Sequence, residues 1–181
     1  MLAIIVVITA CIASFTNTIS PDGIVVHHTA LSREDLRRFP QPTNAKQIDQ
    51  LHKDRGFRVF YWGWVYHIGY HYLILPDGTI QSGRPERCVG SHTEGHNNML
   101  GICLVGNFSS SANPNGQSGE VTPTESQRRA LVSLLRKLSA VYNIPCQKIS
   151  RHRDLDPRTL CPGDRLPWKQ IRADLGCEQV E

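Results

Sequence analysis

Gly23-Ile-Val-Val-His-His-Thr-Ala30 is the stretch on which the fold turns. Ile24, Val25 and Val26 form a short apolar run, and polar residues follow at once. A buried strand that ends at a polar surface has this form. Leu100-Gly-Ile-Cys-Leu-Val105, continuing to Phe108, reads as a second core strand. Gly69-Tyr-His-Tyr-Leu-Ile-Leu75, Pro76-Asp-Gly78 and Thr79-Ile-Gln-Ser82 together read as a β-hairpin with its turn residues in place.

Helical patterns alternate with these strands. Ser32 to Phe39 is charged and helix-like and stops at Pro40. Asn44 to Arg55 carries Ile48, Leu51 and His52 at three-and-four spacing. The clearest helix follows Thr122, which with Glu125 makes a capping box and places Pro123 at the first helical position. Leu131, Leu134, Leu135, Leu138, Val141 and Tyr142 line one face of it until Asn143-Ile-Pro145 stops it. A last helix runs from Pro167 to Leu175 with Trp168, Ile171 and Leu175 inward. Arg84 to Met99 is a Gly/His/Asn-rich loop, and Ser109 to Gly119 is a Ser/Asn/Gly excursion. No internal repeat is present. Strands mixed with helices predict an α/β domain with a central mixed sheet flanked by helices.

The chain has 181 residues, room for one domain with a short appendage. With 40% apolar and 20% charged residues, disorder and fibrous repeats are excluded. A net charge of +4 is far from that of a polybasic nucleic-acid binder, and no nucleic-acid partner is expected. Seven Arg/Lys against four Asp/Glu fall between Leu31 and Phe60, which a solvated helical face explains.

Met1 to Cys11 is apolar for about ten residues, too short for a bilayer span of about 20. It reads as the core of an export signal, although the usual Lys or Arg before it is missing. Ile8-Thr9-Ala10-Cys11 also resembles a lipobox, which would place a lipid anchor on Cys11; the alternatives are a plain cut near Ala13 or Ser14, or a mis-assigned start. Residues 1–20 are therefore expected to be a leader of signal or lipoprotein type, and 21–181 one exported, monomeric domain of the cell envelope, periplasm or exterior. No apolar run after Ser20 is long enough to cross a membrane.

Beyond Cys11 there are five cysteines, so in an oxidising compartment at least one thiol serves something other than a disulfide. Cys103 lies in an apolar run and reads as a buried free thiol. Cys146 and Cys177 each close a helix end and could pair, although spacing does not decide connectivity among Cys88, Cys103, Cys146 and Cys177. Cys161, in the tight turn Leu160-Cys-Pro-Gly163, stands nine residues after His152. Three segments thus hold metal-ligating types: His27-His28, His152 and Cys161. Catalytic zinc uses three protein ligands and an open fourth position, but spacing alone leaves a metal site and unrelated polar positions both open.

The wording of the segments goes further. Val25-Val-His-His-Thr-Ala30, Gly69-Tyr-His-Tyr-Leu-Ile74, Asp77-Gly-Thr-Ile80, Gly83-Arg84, Gly90-Ser-His92, Gly95-His-Asn97, Gly101-Ile-Cys-Leu-Val-Gly-Asn-Phe108 and His152-Arg-Asp-Leu…Cys161-Pro-Gly163 occur in one order. Together they resemble the zinc N-acetylmuramoyl-L-alanine amidases, the family of phage amidase-type lysozymes and peptidoglycan recognition proteins. The resemblance covers Ile24 to Leu175. It implies one zinc ion in a cleft at a sheet edge, held by His27, His152 and Cys161, with His28 pointing to the other side of the strand. It implies hydrolysis of the amide between N-acetylmuramic acid and L-alanine, with peptidoglycan or a muropeptide as partner. Recognition proteins that only bind peptidoglycan are similar but lack this cysteine, so its presence favours turnover.

The family's catalytic tyrosine falls on Tyr70, whose phenol would orient water or hydrogen-bond the oxyanion; by itself Tyr70 also reads as a hairpin aromatic packing on the core. Two departures concern the proton. Where recycling relatives carry a basic Glu, this chain has Cys103. Where phage enzymes carry a Lys, it has Thr159, held here as a helper, beside Arg158, which cannot shuttle protons. The loop Gly95 to Gly101 is one residue shorter than the phage form. Arg84, His92 and Asn97 match positions near the muropeptide groove and read either as substrate contacts or as a structural Arg with loop-capping polar residues. Two other classes of function stay in play: a peptidoglycan-binding module without turnover, which loss of a metal ligand would mark, and an interaction protein on the same fold, such as a polymerase inhibitor, against which the export signal argues.

Overall fold

The computed structural model describes residues 18–39 and 43–177. Its centre is a five-stranded sheet in the order β5-β4-β6-β1-β7, with β1 at Ile24–His28, β4 at Tyr72–Ile74, β5 at Ile80–Ser82, β6 at Leu100–Leu104 and β7 at Ile149–Arg151. β4, β6, β1 and β7 run parallel, and β5 returns antiparallel from β4, so the sheet is mixed as expected. β1 and β6 are buried at every position, because helices cover both faces of parallel strands.

Alternation along β1 and β6 separates two cores. Ile24, Val26, Leu100, Ile102 and Leu104 point toward helix α3 (Glu125–Tyr142) and pack with Leu131, Leu135 and Leu138. Ile171 of helix α5 (Trp168–Leu175) joins them. On the other face Leu73, Cys103 and Val105 meet Ile48 and Leu51 of helix α2 (Ala45–Asp54). Cys103 is fully buried as a free thiol. Helix α1 (Arg33–Arg38) is capped by Ser32 and followed by Phe39, while Pro40, its expected stop, and residues 1–17 of the expected leader, Cys11 among them, lie outside the described residues.

Two local readings are corrected. Helix α3 is capped by Thr124, not Thr122: Thr124 and Gln127 form the reciprocal capping box, and Glu125 instead pairs with Arg128. The reason is tertiary. Gln127 is fully buried and its amide donates to Ile74 O at 3.1 Å and Val105 O at 2.9 Å, which pins the first turn to two strand ends. Val141, expected inward, is 59% exposed. Trp168 and Leu175 pack, as expected, against the core that encloses Ile171.

The sequence pattern also passed over a two-stranded ribbon, β2 (Val59–Tyr61) with β3 (Trp64–Tyr66). It missed β7, and the short helix α4 (His152–Leu155) that follows it. Cys146 and Cys177 form a disulfide with Cα atoms 5.5 Å apart, tying the segment before β7 to the end of α5. No helix among the described residues is long and apolar enough to cross a membrane.

Candidate metal centre

Each ligand-type residue is delivered by a different device. His27 is the penultimate residue of β1, on the face opposite Val26. β7 pairs in parallel with β1, with Arg151 beside Val26, so the next residue, His152, emerges one strand over from His27. Their ring centroids are 4.6 Å apart. Cys161 returns by a turn: Arg153 N donates to Cys161 O at 2.9 Å and Cys161 N to Thr159 Oγ1 at 3.1 Å. The turn ends on Gly163, whose φ is +93° and whose added Cβ would sit 2.3 Å from the Phe108 carbonyl carbon. Only glycine lets the ligand loop lie this close to β6's exit.

The ligand atoms of His27, His152 and Cys161 all lie within 4.8 Å of one another. Zinc takes nitrogen at about 2.05 Å and sulfur at about 2.3 Å, which at the tetrahedral angle sets N and S about 3.6 Å apart. His27 Nδ1 and Cys161 Sγ are 3.6 Å apart. Burial, reinforced by His92, His152 and His28, holds the His27 pKa well below the ordinary imidazole range. Burial likewise lowers that of His152. Both imidazoles are therefore neutral and free to ligate. Burial pushes the Cys161 thiol up to about 12, so its thiolate form needs a cation beside it, and a coordinating thiol loses its proton outright. Two neutral nitrogens and one such sulfur fit zinc, and β1 lies one strand in from the β7 edge.

Comparison with known proteins points the same way. The sequence profile of the N-acetylmuramoyl-L-alanine amidase family matches residues 17–164. The chain belongs to that family. It is 33% identical over 156 residues to the endolysin of Klebsiella phage KP32, covering 85% of this chain and 89% of that one. The endolysin of Escherichia phage T7 is 33% identical over 151 residues, covering 82% and 85%. Among solved structures, the N-acetylmuramoyl-L-alanine amidase LysC of Clostridium intestinale superposes with a TM-score of 0.67 at 36% identity, covering 88% of each chain.

In this amidase-family chain, Tyr70 packs against His27 with centroids 5.2 Å apart and against His52 at 5.3 Å. Burial, with the neighbouring Cys103 and Cys161 sulfurs, raises its pKa well above the ordinary phenol range, so it is a permanent O–H donor. His52, first noticed only as part of α2's inward face, accepts from Gly69 N at 2.8 Å and so fixes the approach to Tyr70.

The other expected site residues build the wall. His92 sits behind His27: its Nε2 donates to Met99 O at 3.0 Å, which leaves Nδ1 to accept from His27 Nε2 at 3.1 Å. Thr93 Oγ1 supports the same junction at 3.0 Å from His92 Nδ1. Gly101 makes the space, since its Cβ would lie 2.6 Å from the His92 ring. Asn97 accepts from His92 N at 2.8 Å and Thr93 N at 3.0 Å, capping the loop that carries them. Arg84 is 2% exposed and spends its guanidinium on Ile68 O, Val89 O, Ser91 Oγ and His67 O. Of the two readings open for Arg84, His92 and Asn97, the geometry favours the structural one. The Thr159 hydroxyl likewise accepts from Cys161 N and holds the ligand turn. His28 faces the apolar core, accepting from Phe108 N at 3.0 Å.

Proposed function

We propose that this chain hydrolyses the amide between N-acetylmuramic acid and L-alanine in peptidoglycan, using one zinc ion held by His27, His152 and Cys161. The observation that carries the reading is the convergence of three neutral-nitrogen and sulfur donors at zinc-like spacing beside a half-buried phenol. When bound, the metal supplies Lewis acidity and lowers the pKa of water toward about 7.

The chain's own residues supply the rest. His92 holds the His27 Nε2 proton, so Nδ1 is the nitrogen left to ligate; fixing a ligand's tautomer through its second nitrogen is a common support for metal sites. Tyr70 keeps its proton at any physiological pH and donates it as a hydrogen bond to the oxygen that gains charge as the carbonyl is attacked. Cys103 cannot act as base: it is fully buried and burial raises its pKa well above the thiol range. Thr159 acts through the loop rather than on the proton. Arg84 and Asn97 preset the wall, so the cleft does not have to order on binding.

The rest of the reading is spatial. Peptidoglycan lies outside the cytoplasmic membrane, and the apolar stretch Met1 to Cys11 supports export with residues 1–20 as leader and 21–181 as the working domain. The anchored form would carry lipid on Cys11; intact-mass measurement of exported protein separates it from a plain cut.

The decisive experiment is digestion of purified sacculi by zinc-loaded and chelator-treated protein, with the new termini identified by mass spectrometry. Free L-alanine amino termini released only by the loaded protein are expected. Sacculi that are bound but never cleaved would replace the enzyme with a recognition module.

A further inference from the structure

The ribbon β2–β3 exposes apolar side chains on both of its faces. On the ribbon β2–β3, Phe60, Trp62, Trp64 and Val65 are 52%, 71%, 71% and 54% exposed. The register pairs Val59 with Tyr66 and Tyr61 with Trp64, and directly paired residues share a face. Val59 is buried on the body, Tyr61 and Tyr66 line a cavity of about 570 Å³, and Trp64 carries the same face on into solvent. Trp62 and Gly63 make the two-residue turn with φ of 50° and 83°, the left-handed pair whose twist suits a hairpin. A bulky Trp held at positive φ makes the ribbon a preset surface rather than one ordered on binding.

The cavity beneath the ribbon is amphipathic. Tyr72, Tyr142, Glu86 and Arg87 are among its other lining residues. The Glu86 carboxylate accepts from both the Tyr72 and the Tyr142 hydroxyl, which locks two rings in place. Four aromatic rings beside a carboxylate, a guanidinium and phenolic oxygens suit a ligand with apolar C–H faces and a rim of hydroxyl and amide groups. A pyranose has that form. A lipid surface does not fit as well, because the lining carries the Glu86 carboxylate, which an anionic membrane would repel.

The cavity and the metal centre share a wall. His71 lines the cavity, its ring meets that of His92 at 5.7 Å, and His92 meets His27 at 5.0 Å. The cavity thus backs onto the metal centre, with two imidazoles between. A polymer whose side-chain amide sits at the metal extends well past that point.

We infer that this pocket and the aromatic face leading out of it form a second subsite, which binds a stretch of N-acetylated amino-sugar chain. The inference rests on the amidase reading only for the identity of the polymer.

The test uses the zinc-loaded full chain and the linear tetramer of β-1,4-linked N-acetylglucosamine, which has no stem peptide and so no bond for the metal centre to cut. Calorimetry should show saturable binding of the tetramer, weakened about tenfold or more in Trp64→Ala and in Tyr61→Ala. Trp64 is an exposed side chain, so an unchanged thermal midpoint should certify that variant as folded. Chelation should leave tetramer binding unchanged. Trp64→Ala should release stem peptides from intact sacculi about tenfold more slowly, yet cleave a soluble single-sugar muramoyl peptide at the parental rate. No tetramer binding at millimolar concentration would overturn the subsite, as would binding that both variants leave unaltered. Affinity for phosphatidylglycerol vesicles without affinity for the tetramer would also overturn it and assign the ribbon to a membrane. If the tetramer binds as expected but sacculi are never cleaved, the amidase reading fails and the subsite stands.

Discussion

His27 and His28 are adjacent, of one residue type and equally buried, yet the two faces of the sheet make opposite use of them. On the α3 side His28 is satisfied: it accepts from Phe108 N and its ring lies 5.7 Å from that of Phe108, within an apolar core. On the other side His27 has one nitrogen secured by His92 and the other turned toward Cys161 at 3.6 Å. One face closes its polar groups within the chain, and the other leaves a donor set whose remaining partner is a cation. The difference teaches that burial alone does not mark a functional histidine; what marks it is a nitrogen whose nearest neighbours are other ligands.

The comparison breaks most severely at a ligand. His152→Ala should lose zinc, by metal analysis, and lose hydrolysis by about 10³-fold or more, the scale of the several kcal/mol a metal contributes. An active, zinc-free variant would dissolve the contrast between the faces. The opposite face should answer in stability instead. Leu135 is fully buried, and Leu135→Ala should cost about 2–5 kcal/mol of unfolding free energy, while zinc content and turnover of the folded fraction stay near the parent's. Denaturant unfolding with parallel metal analysis checks this; lost zinc at full stability would contradict it.

Two further changes sharpen the metal-side account. Tyr70→Phe keeps the ring packing on His27 and His52 and removes one hydroxyl. It should leave zinc bound and slow hydrolysis by about 10²-fold; a rate within about threefold of the parent would take the oxyanion role from Tyr70. His92→Ala acts more gently, because it frees the His27 tautomer without removing a ligand. Zinc affinity, measured by chelator competition, should fall about 10–100-fold. His92→Gln should restore part of the loss, since its amide can still accept from His27 Nε2. A substrate-binding role would instead raise KM and leave zinc affinity unchanged.

Much of this was open to inspection in the sequence, and for local reasons. Strand alternation separates His27 from His28, the apolar stripe from Leu131 to Leu138 marks α3 and its inward face, and Cys161-Pro-Gly163 reads as a tight turn. The family resemblance then chose His27 over His28, and it is His27 whose ligand atom lies with those of His152 and Cys161. The ribbon β2–β3 was missed because its turn is Trp62-Gly63, which lacks the Asn-Gly or Asp-Gly chemistry that usually signals a hairpin.

What the chain determined by itself is therefore periodic or confined to one turn: which residues alternate across β1, which stripe of α3 is apolar, and which residue types are able to ligate a metal. What only the tertiary structure decided is long-range. Pairing of β7 with β1 brings His152 beside His27 across 125 residues, the carbonyls of Ile74 and Val105 move the α3 cap to Thr124 and Gln127, and backbone acceptors around the loop turn Arg84 into part of the wall. The physical reason is the same in each case. A side chain's local preference is worth a few tenths to about one kcal/mol, whereas leaving a buried donor or charge unpaired costs more than that. The final partner of Gln127, Arg84 or His92 is therefore set by which acceptors the fold brings within reach.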